Sequence, residues 1–200
     1  MLTLAIQAGG GSARMGRDKA LMPFLGLPLI CRIIKRLQTV ADEILVTTNH
    51  PEDYGFLGLP LYTDLRPGHG ALGGLYTALS AAANPSVAVV ACDMPFASPE
   101  LLRAELNMLD ELGVDIVIPT STRGLEPLHA LYRKETCLPA VEAALEAGMW
   151  RMISFFPDVM VHYLDIKETA SYDPHGLAFW NLNTPEEFHE AERQAGEFPI

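Results

Sequence analysis

The chain has 200 residues, 49% hydrophobic and 20% charged, which suits one globular domain over 1–200 with a core of ample size. Its formal net charge of −11 and sequence pI near 4.9 speak against a general nucleic-acid or anionic-membrane surface. Three scattered cysteines, Cys31, Cys92 and Cys137, form no CxxC pair and no disulfide framework, so a reducing, cytoplasmic setting is expected.

Residues 2–8, LTLAIQA, read as a first strand. They lack the charged leading region of a signal peptide and run straight into Gly9-Gly10-Gly11. Pro28 can open a helix that carries Leu29, Ile30, Ile33, Ile34 and Leu37 at helical spacing. EILVTT at 43–48 is a second strand, ALGGLYTALSAAA at 71–83 a small-residue helix, and VAVVA at 87–91 a third strand. Ser98-Pro99-Glu100 starts a helix, with Ser98 as N-cap. DIVIP at 115–119 is a further strand, and the less regular stretch 120–135 holds a short antiparallel strand around Leu128–Tyr132. Thr184-Pro185-Glu186-Glu187 repeats the helix-start signal. The strands are almost continuously apolar, as strands covered on both faces must be, and no apolar run reaches membrane-spanning length. The alternation predicts an α/β fold: a three-layer α/β/α Rossmann-like sandwich with a mostly parallel mixed sheet.

The most informative segment is Gln7-Ala8-Gly9-Gly10-Gly11-Ser12-Ala13-Arg14-Met15-Gly16-Arg17-Asp18-Lys19. Glycines that end a buried strand let backbone N–H groups approach an anion closely. Arg14, Arg17 and Lys19 then place three cations within six residues of an otherwise acidic chain, a plausible triphosphate cradle. Two commoner motifs fail. GxGxxG from Gly9 would need glycine at Arg14, and the Walker pattern from Gly11 to Gly16 would need Lys and Ser/Thr where Arg17 and Asp18 stand.

Asp93, in Cys92-Asp93-Met94-Pro95, follows a central strand, where α/β sheets bind ligands. It reads as a Mg²⁺ ligand or, equally, as a turn aspartate. Asn49 ends the second strand and could address a base or ribose, or form an Asx turn before Pro51. Asn181 and Asn183, if on a strand, would share one face and one ligand. His129, alone in an apolar run, reads first as a core residue, His69 as a solvated loop residue and Arg151 as a solvated cation.

GGGSARMGRDKAL resembles the signature loop of the nucleotidyltransferases, in the form used by molybdenum cofactor guanylyltransferases, with Gln7 where leucine is usual. CDMP at 92–95 resembles that family's CDxP motif, and NLNTPEE at 181–187 its NxNTPEE signature. The segment from Asp64 to Leu75 resembles D-x-x-x-G-x-G-P-L-x-G-L, with Ala71 in place of proline. The resemblance implies a nucleotidyltransferase-type sandwich. It implies nucleotide contacts at Gln7, Ala8, Gly9, Gly10, Lys19, Asn49, Asp64 and Asp93, with Mg²⁺ on Asp93. Asn181 and Asn183 would face the pterin, His129 could line the second substrate site, and Arg151 could meet the pterin phosphate.

The implied reaction joins GMP from GTP to the terminal phosphate of molybdopterin, with Arg14, Lys19 and Asp93 as the catalytic groups. Implied partners are GTP, molybdopterin or the molybdenum cofactor, and transiently the cofactor-insertion proteins or recipient molybdoenzymes. A molybdopterin cytidylyltransferase is the nearest alternative. Ala8-Gly9-Gly10 and Met94 favour guanylyl transfer, since cytidylyltransferases tend to carry AAG and CDQP. Sugar-phosphate enzymes are usually longer. An intact Lys19 and Asp93 argue against a catalytically silent nucleotide-binding or partner-docking protein.

Overall fold

The computed structural model describes residues 1–8 and 18–197. Strand β1 (Leu2–Gln7) leads to the small hairpin β2 (Pro23–Phe24) and β3 (Leu27–Pro28), then to helix α1 (Leu29–Leu37) and β4 (Glu43–Thr47). β5 (Leu61–Tyr62), α2 (Gly70–Ala81), β6 (Ser86–Ala91) and α3 (Pro99–Glu111) follow. Next come β7 (Ile116–Ser121), β8 (Gly124–Leu125), β9 (His129–Arg133) and α4 (Lys134–Glu146). The chain continues through β10 (Val161–Leu164) and α5 (Ile166–Tyr172) to α6 (Pro185–Glu197).

The main sheet runs β10-β7-β9-β6-β1-β4-β5, with β8 hairpinned onto β7. β9 alone on that path is antiparallel to both neighbours, as expected for the strand near 128–132. Successive side chains of a strand face opposite ways, and the two cores follow that alternation. Leu4, Ile6, Ala88 and Val90 pack with residues of α1, α3 and α6. Ala5, Leu45, Val87 and Val89 pack with residues of α2 and α4 on the other side. That is the three-layer sandwich, and it explains why β6 is buried at every position.

Ser98 accepts the Leu101 N–H and caps α3 as the sequence predicts. At α6, Glu187 Oε2 accepts the Thr184 N–H while Thr184 Oγ1 accepts the Glu187 N–H, a reciprocal cap. One expectation fails. Residues 181–183 form no strand, so the same-face argument for the two asparagines does not hold. This segment is instead tied to the Asp93 turn through the backbone, by the Leu182 N–H donating to the Asp93 carbonyl at 2.9 Å. No helix among the described residues is long and apolar enough to cross a membrane.

Glu105 of α3 and His129 of β9 are both fully buried, Oε1 to Nδ1 3.5 Å. Burial pushes the Glu105 carboxyl up to about 7, opposed by the nearby imidazole. Tyr132 is the other titratable group beside it, its own phenol raised chiefly by burial. An acid whose folded pKa lies above its unfolded value binds more protons when folded. Its contribution is therefore complete below the ordinary pKa of 4.5 and is lost as pH rises through about 7. Glu105→Gln, neutral at every pH, is expected to melt above the parent at pH 8 and to lose that advantage toward pH 4.5. A difference that stays constant across this range in thermal melts would show that Glu105 keeps one ionisation state.

Candidate functional site

Three adjacent parallel strands, β6, β1 and β4, end together at their carboxyl edge. Two backbone bonds carry the ladder past the strand ends. The Ala8 N–H donates to Thr47 O at 2.8 Å, and the Cys92 N–H donates to Gln7 O at 3.0 Å. Gln7, Ala8, Thr48-Asn49 and Asp93 are thereby held side by side, the position where open α/β sheets bind ligands.

Lys19 reaches this edge from a single 3-10 turn, Lys19–Leu21. Asp18 caps that turn with one oxygen, accepting the Ala20 N–H at 3.0 Å. Its other oxygen accepts the Tyr54 hydroxyl at 2.6 Å. Tyr54 is fully buried, and burial together with this carboxylate raises its phenol well above the ordinary value, so it stays a donor. Sequence reasoning assigned neither Asp18 nor Tyr54 a role. The pair is 36 positions apart, and its effect is to fix the backbone from which Lys19 extends.

The Lys19 ammonium donates to Asp93 Oδ2 at 3.1 Å and to Asn183 Oδ1 at 2.9 Å. Both members of the ion pair are about one-fifth exposed, 19% for Lys19 and 18% for Asp93, so solvent reaches them without flooding them. Asn183 is braced in turn. Its Nδ2 donates to the Asn181 carbonyl at 3.2 Å, and its backbone N–H donates to Glu187 Oε2. Asn181 differs: its Oδ1 is buried with no hydrogen-bond partner among the described residues. The contacts therefore bring Asn183 to Lys19, and bring Asn181 to it only through its backbone.

Along the sheet, Asn49 Nδ2 donates to Asp64 Oδ2 at 3.0 Å, and Asn49 Oδ1 lies 3.4 Å from the Asp64 N–H that donates to it. The turn at this strand end is made by Thr48 Oγ1, which accepts the His50 N–H, so the Asn49 amide serves the Asp64 contact. Gln7 lies against α2, where Nε2 donates to Ala71 O at 3.4 Å. His69 stands at the N-cap of α2. Its Nδ1 faces the Arg66 and Pro67 carbonyls, and its ring lies 5.2 Å from that of exposed Trp150. Arg151 is exposed and His129 is in the core, as their plainer readings predict. Gly9, Gly10 and Arg14, with the rest of the basic loop 9–17, lie outside the described residues.

The available donors are hard oxygens, from Asp93 and Asn183, with Asp64 along the edge. Cys92 adjoins Asp93, but burial and then the carboxylates of Asp93 and Asp18 push its thiol well above the usual range. It offers no thiolate, so the set fits an oxygen-seeking cation and not a thiolate-seeking one.

Two glycines of α2 make the edge compact. A Cβ on Gly73 would lie 2.8 Å from the Arg66 carbonyl oxygen, and one on Gly74 would lie 2.9 Å from Gln7 Oε1. The obstacle differs, backbone in one case and the end of a flexible side chain in the other. Gly73→Ala is expected to lower the melting point and disturb the 64–69 loop. Gly74→Ala is expected to keep the parental melting point while displacing the Gln7 side chain. Equal losses of stability in both variants would contradict this distinction.

Residues 4–161 match the family model of the MobA-like NTP transferase domain. The chain is 37% identical over 193 residues to a probable molybdenum cofactor guanylyltransferase of Pelotomaculum thermopropionicum, covering 96% of this chain and 93% of that one. It is 31% identical over 192 residues to a molybdenum cofactor guanylyltransferase of Desulfosudis oleivorans, covering 96% and 94%. The fold matches the crystal structure of molybdopterin-guanine dinucleotide biosynthesis protein A from Archaeoglobus fulgidus at a TM-score of 0.84 and 24% identity, covering 98% of this chain and 100% of that one.

Proposed function

Because the chain belongs to the MobA-like NTP transferase family, we propose that it transfers GMP from GTP to the terminal phosphate of molybdopterin. The observation that carries this reading is the meeting of Lys19, Asp93 and Asn183 at the carboxyl edge of the sheet. A nucleotidyl transfer needs a cation for phosphate charge and a carboxylate for a metal at one place, and these residues supply both.

In the proposed reaction an oxygen of the molybdopterin phosphate forms a bond to the α-phosphorus of GTP. The bond from that phosphorus to the β-phosphate bridging oxygen breaks, and pyrophosphate leaves with the electron pair. The acceptor is already an anion, so no protein nucleophile is required. The protein contributes alignment and charge neutralisation. Lys19 binds the triphosphate through its ammonium. Asn183, set by the cap of α6, orients Lys19 and borders the acceptor side together with Asn181. Asn49 and Asp64 hold the nucleoside end, beside Gln7 and Ala8. The backbone of Gly9 and Gly10 and the guanidinium of Arg14 complete the cradle by sequence. The divalent metal of such an enzyme is, in this reading, Mg²⁺ held by Asp93, and when bound it neutralises phosphate charge. Cofactor-insertion proteins or molybdoenzymes would receive the product.

Calorimetry with GTP, CTP, ATP and UTP in the presence of Mg²⁺ tests the reading. Preferential GTP binding is expected. Preference for CTP would replace guanylyl by cytidylyl transfer, and binding of no nucleotide would overturn the proposal.

A further inference from the structure

Glu105 and His129 form a pair of titratable side chains in the core that the reaction above does not use. Both are fully buried. Burying a carboxylate beside one imidazole costs more than filling the same space with leucine, a cost that calls for a compensating use. The surroundings of the imidazole suggest one. Its Nε2 accepts the Ser98 backbone N–H at 3.1 Å. A neutral imidazole carries a single N–H, so an accepting Nε2 puts the proton on Nδ1. Nδ1 faces Glu105 Oε1 at 3.5 Å, long for a hydrogen bond, yet neither group has another partner among the described residues. The imidazole and the Phe179 ring form a T-shaped pair, with centroids 5.4 Å apart and planes at 82°.

Each of these neighbours leads to the site. Ser98 closes the segment that Asp93 opens, and its own hydroxyl donates to Tyr172 O at 3.2 Å. Phe179 begins the run that reaches Asn181 and Asn183. The two segments are joined by the Leu182 N–H on the Asp93 carbonyl. His129 thus contacts both segments that carry the arms of the Lys19 bridge.

We propose that Glu105 and His129 are positioning residues: Glu105 holds the His129 imidazole in its Nδ1–H tautomer, and the imidazole sets the spacing of the Asp93 and Asn183 segments. Neither touches a reacting atom. Their effect is on the distance across which Lys19 is shared and on the aim of the Asp93 carboxylate. The inference rests on the guanylyl-transfer reading for its kinetic consequence, but not for the tautomer.

The test uses the full chain with Glu105→Leu, which removes the acceptor, and Glu105→Gln, which keeps one. Glu105→Leu is expected to raise the half-saturating Mg²⁺ concentration and lower kcat, about ten-fold together, the scale of outer-shell losses around metals. Its melting temperature should match or exceed the parent. Glu105→Gln should restore both kinetic parameters to within about two-fold of the parent. A role limited to packing would move the melting temperature and leave the Mg²⁺ dependence alone. Parental kinetics in folded Glu105→Leu, or equal damage in Glu105→Gln, would overturn the proposal. Imidazole ¹⁵N spectra of the parent, assigned with His129→Phe, decide it independently of folding in the leucine variant. The Nδ1–H tautomer supports the proposal and the Nε2–H tautomer refutes it. A parent that binds no GTP but shows the Nδ1–H tautomer would remove the functional reading while leaving the structural half standing.

Discussion

Asp93→Asn is expected to lower guanylyl transfer by about a thousand-fold, roughly 4 kcal/mol of transition-state stabilisation, with little change in melting temperature. The substitution keeps the shape of the side chain and removes its charge. It also leaves untouched what Asp93 contributes to the fold, since the bond to the Leu182 N–H comes from the Asp93 backbone carbonyl. The ion pair with Lys19 is partly exposed and adds little to stability. In the proposed reaction, loss of the charge therefore falls on metal and phosphate. Initial rates across a Mg²⁺ titration, beside a thermal melt, separate these effects. A folded Asp93→Asn protein that turns over at the parental rate would remove Asp93 from the chemistry.

Lys19→Met should reduce kcat/KM for GTP by about a hundred-fold, on the scale of one lost charge-stabilising donor. Lys19→Arg should recover only part of this. The ammonium is a compact donor shared between Asp93 Oδ2 and Asn183 Oδ1, and a planar guanidinium does not have that geometry. The shared contact also makes the sites interdependent. Asn183→Ala is expected to cost much less in a Lys19→Met background than alone, because residues in one network do not contribute additively. Strict additivity in that double-mutant cycle would show that Asn183 acts without Lys19.

Much of this protein is written in local pattern. The apolar runs at 2–8, 43–48, 87–91 and 115–119 became β1, β4, β6 and β7. Burial on both faces demands such runs whatever the strand order. Helical spacing from Leu29 to Leu37 and the starts at Ser98 and Thr184 became α1, α3 and α6, because caps and one-sided burial are short-range properties. Several elements that escaped notice lack these signals, although α5 escaped while opening on the Asp165–Glu168 capping box. β5 has two residues and β10 four of mixed polarity, as edge strands do. α4 begins without a side-chain cap and carries Pro139 inside it.

The family motifs around Lys19, Asp93 and Asn183 were also legible, as three unconnected pieces of chain. What the sequence by itself determined was the set of strands and helices and the residue types at their ends. These depend on backbone preference, capping and hydrophobic period, all of which act within a few residues. Only the tertiary structure decided that Lys19 meets partners 74 and 164 positions away. It also decided that Tyr54 braces Asp18, that Gln7 lies against Gly74, and that Asn183 and not Asn181 faces the ammonium with its side chain. Those contacts follow from the order in which β6, β1 and β4 lie side by side, and that order is set by how the whole chain buries its two cores.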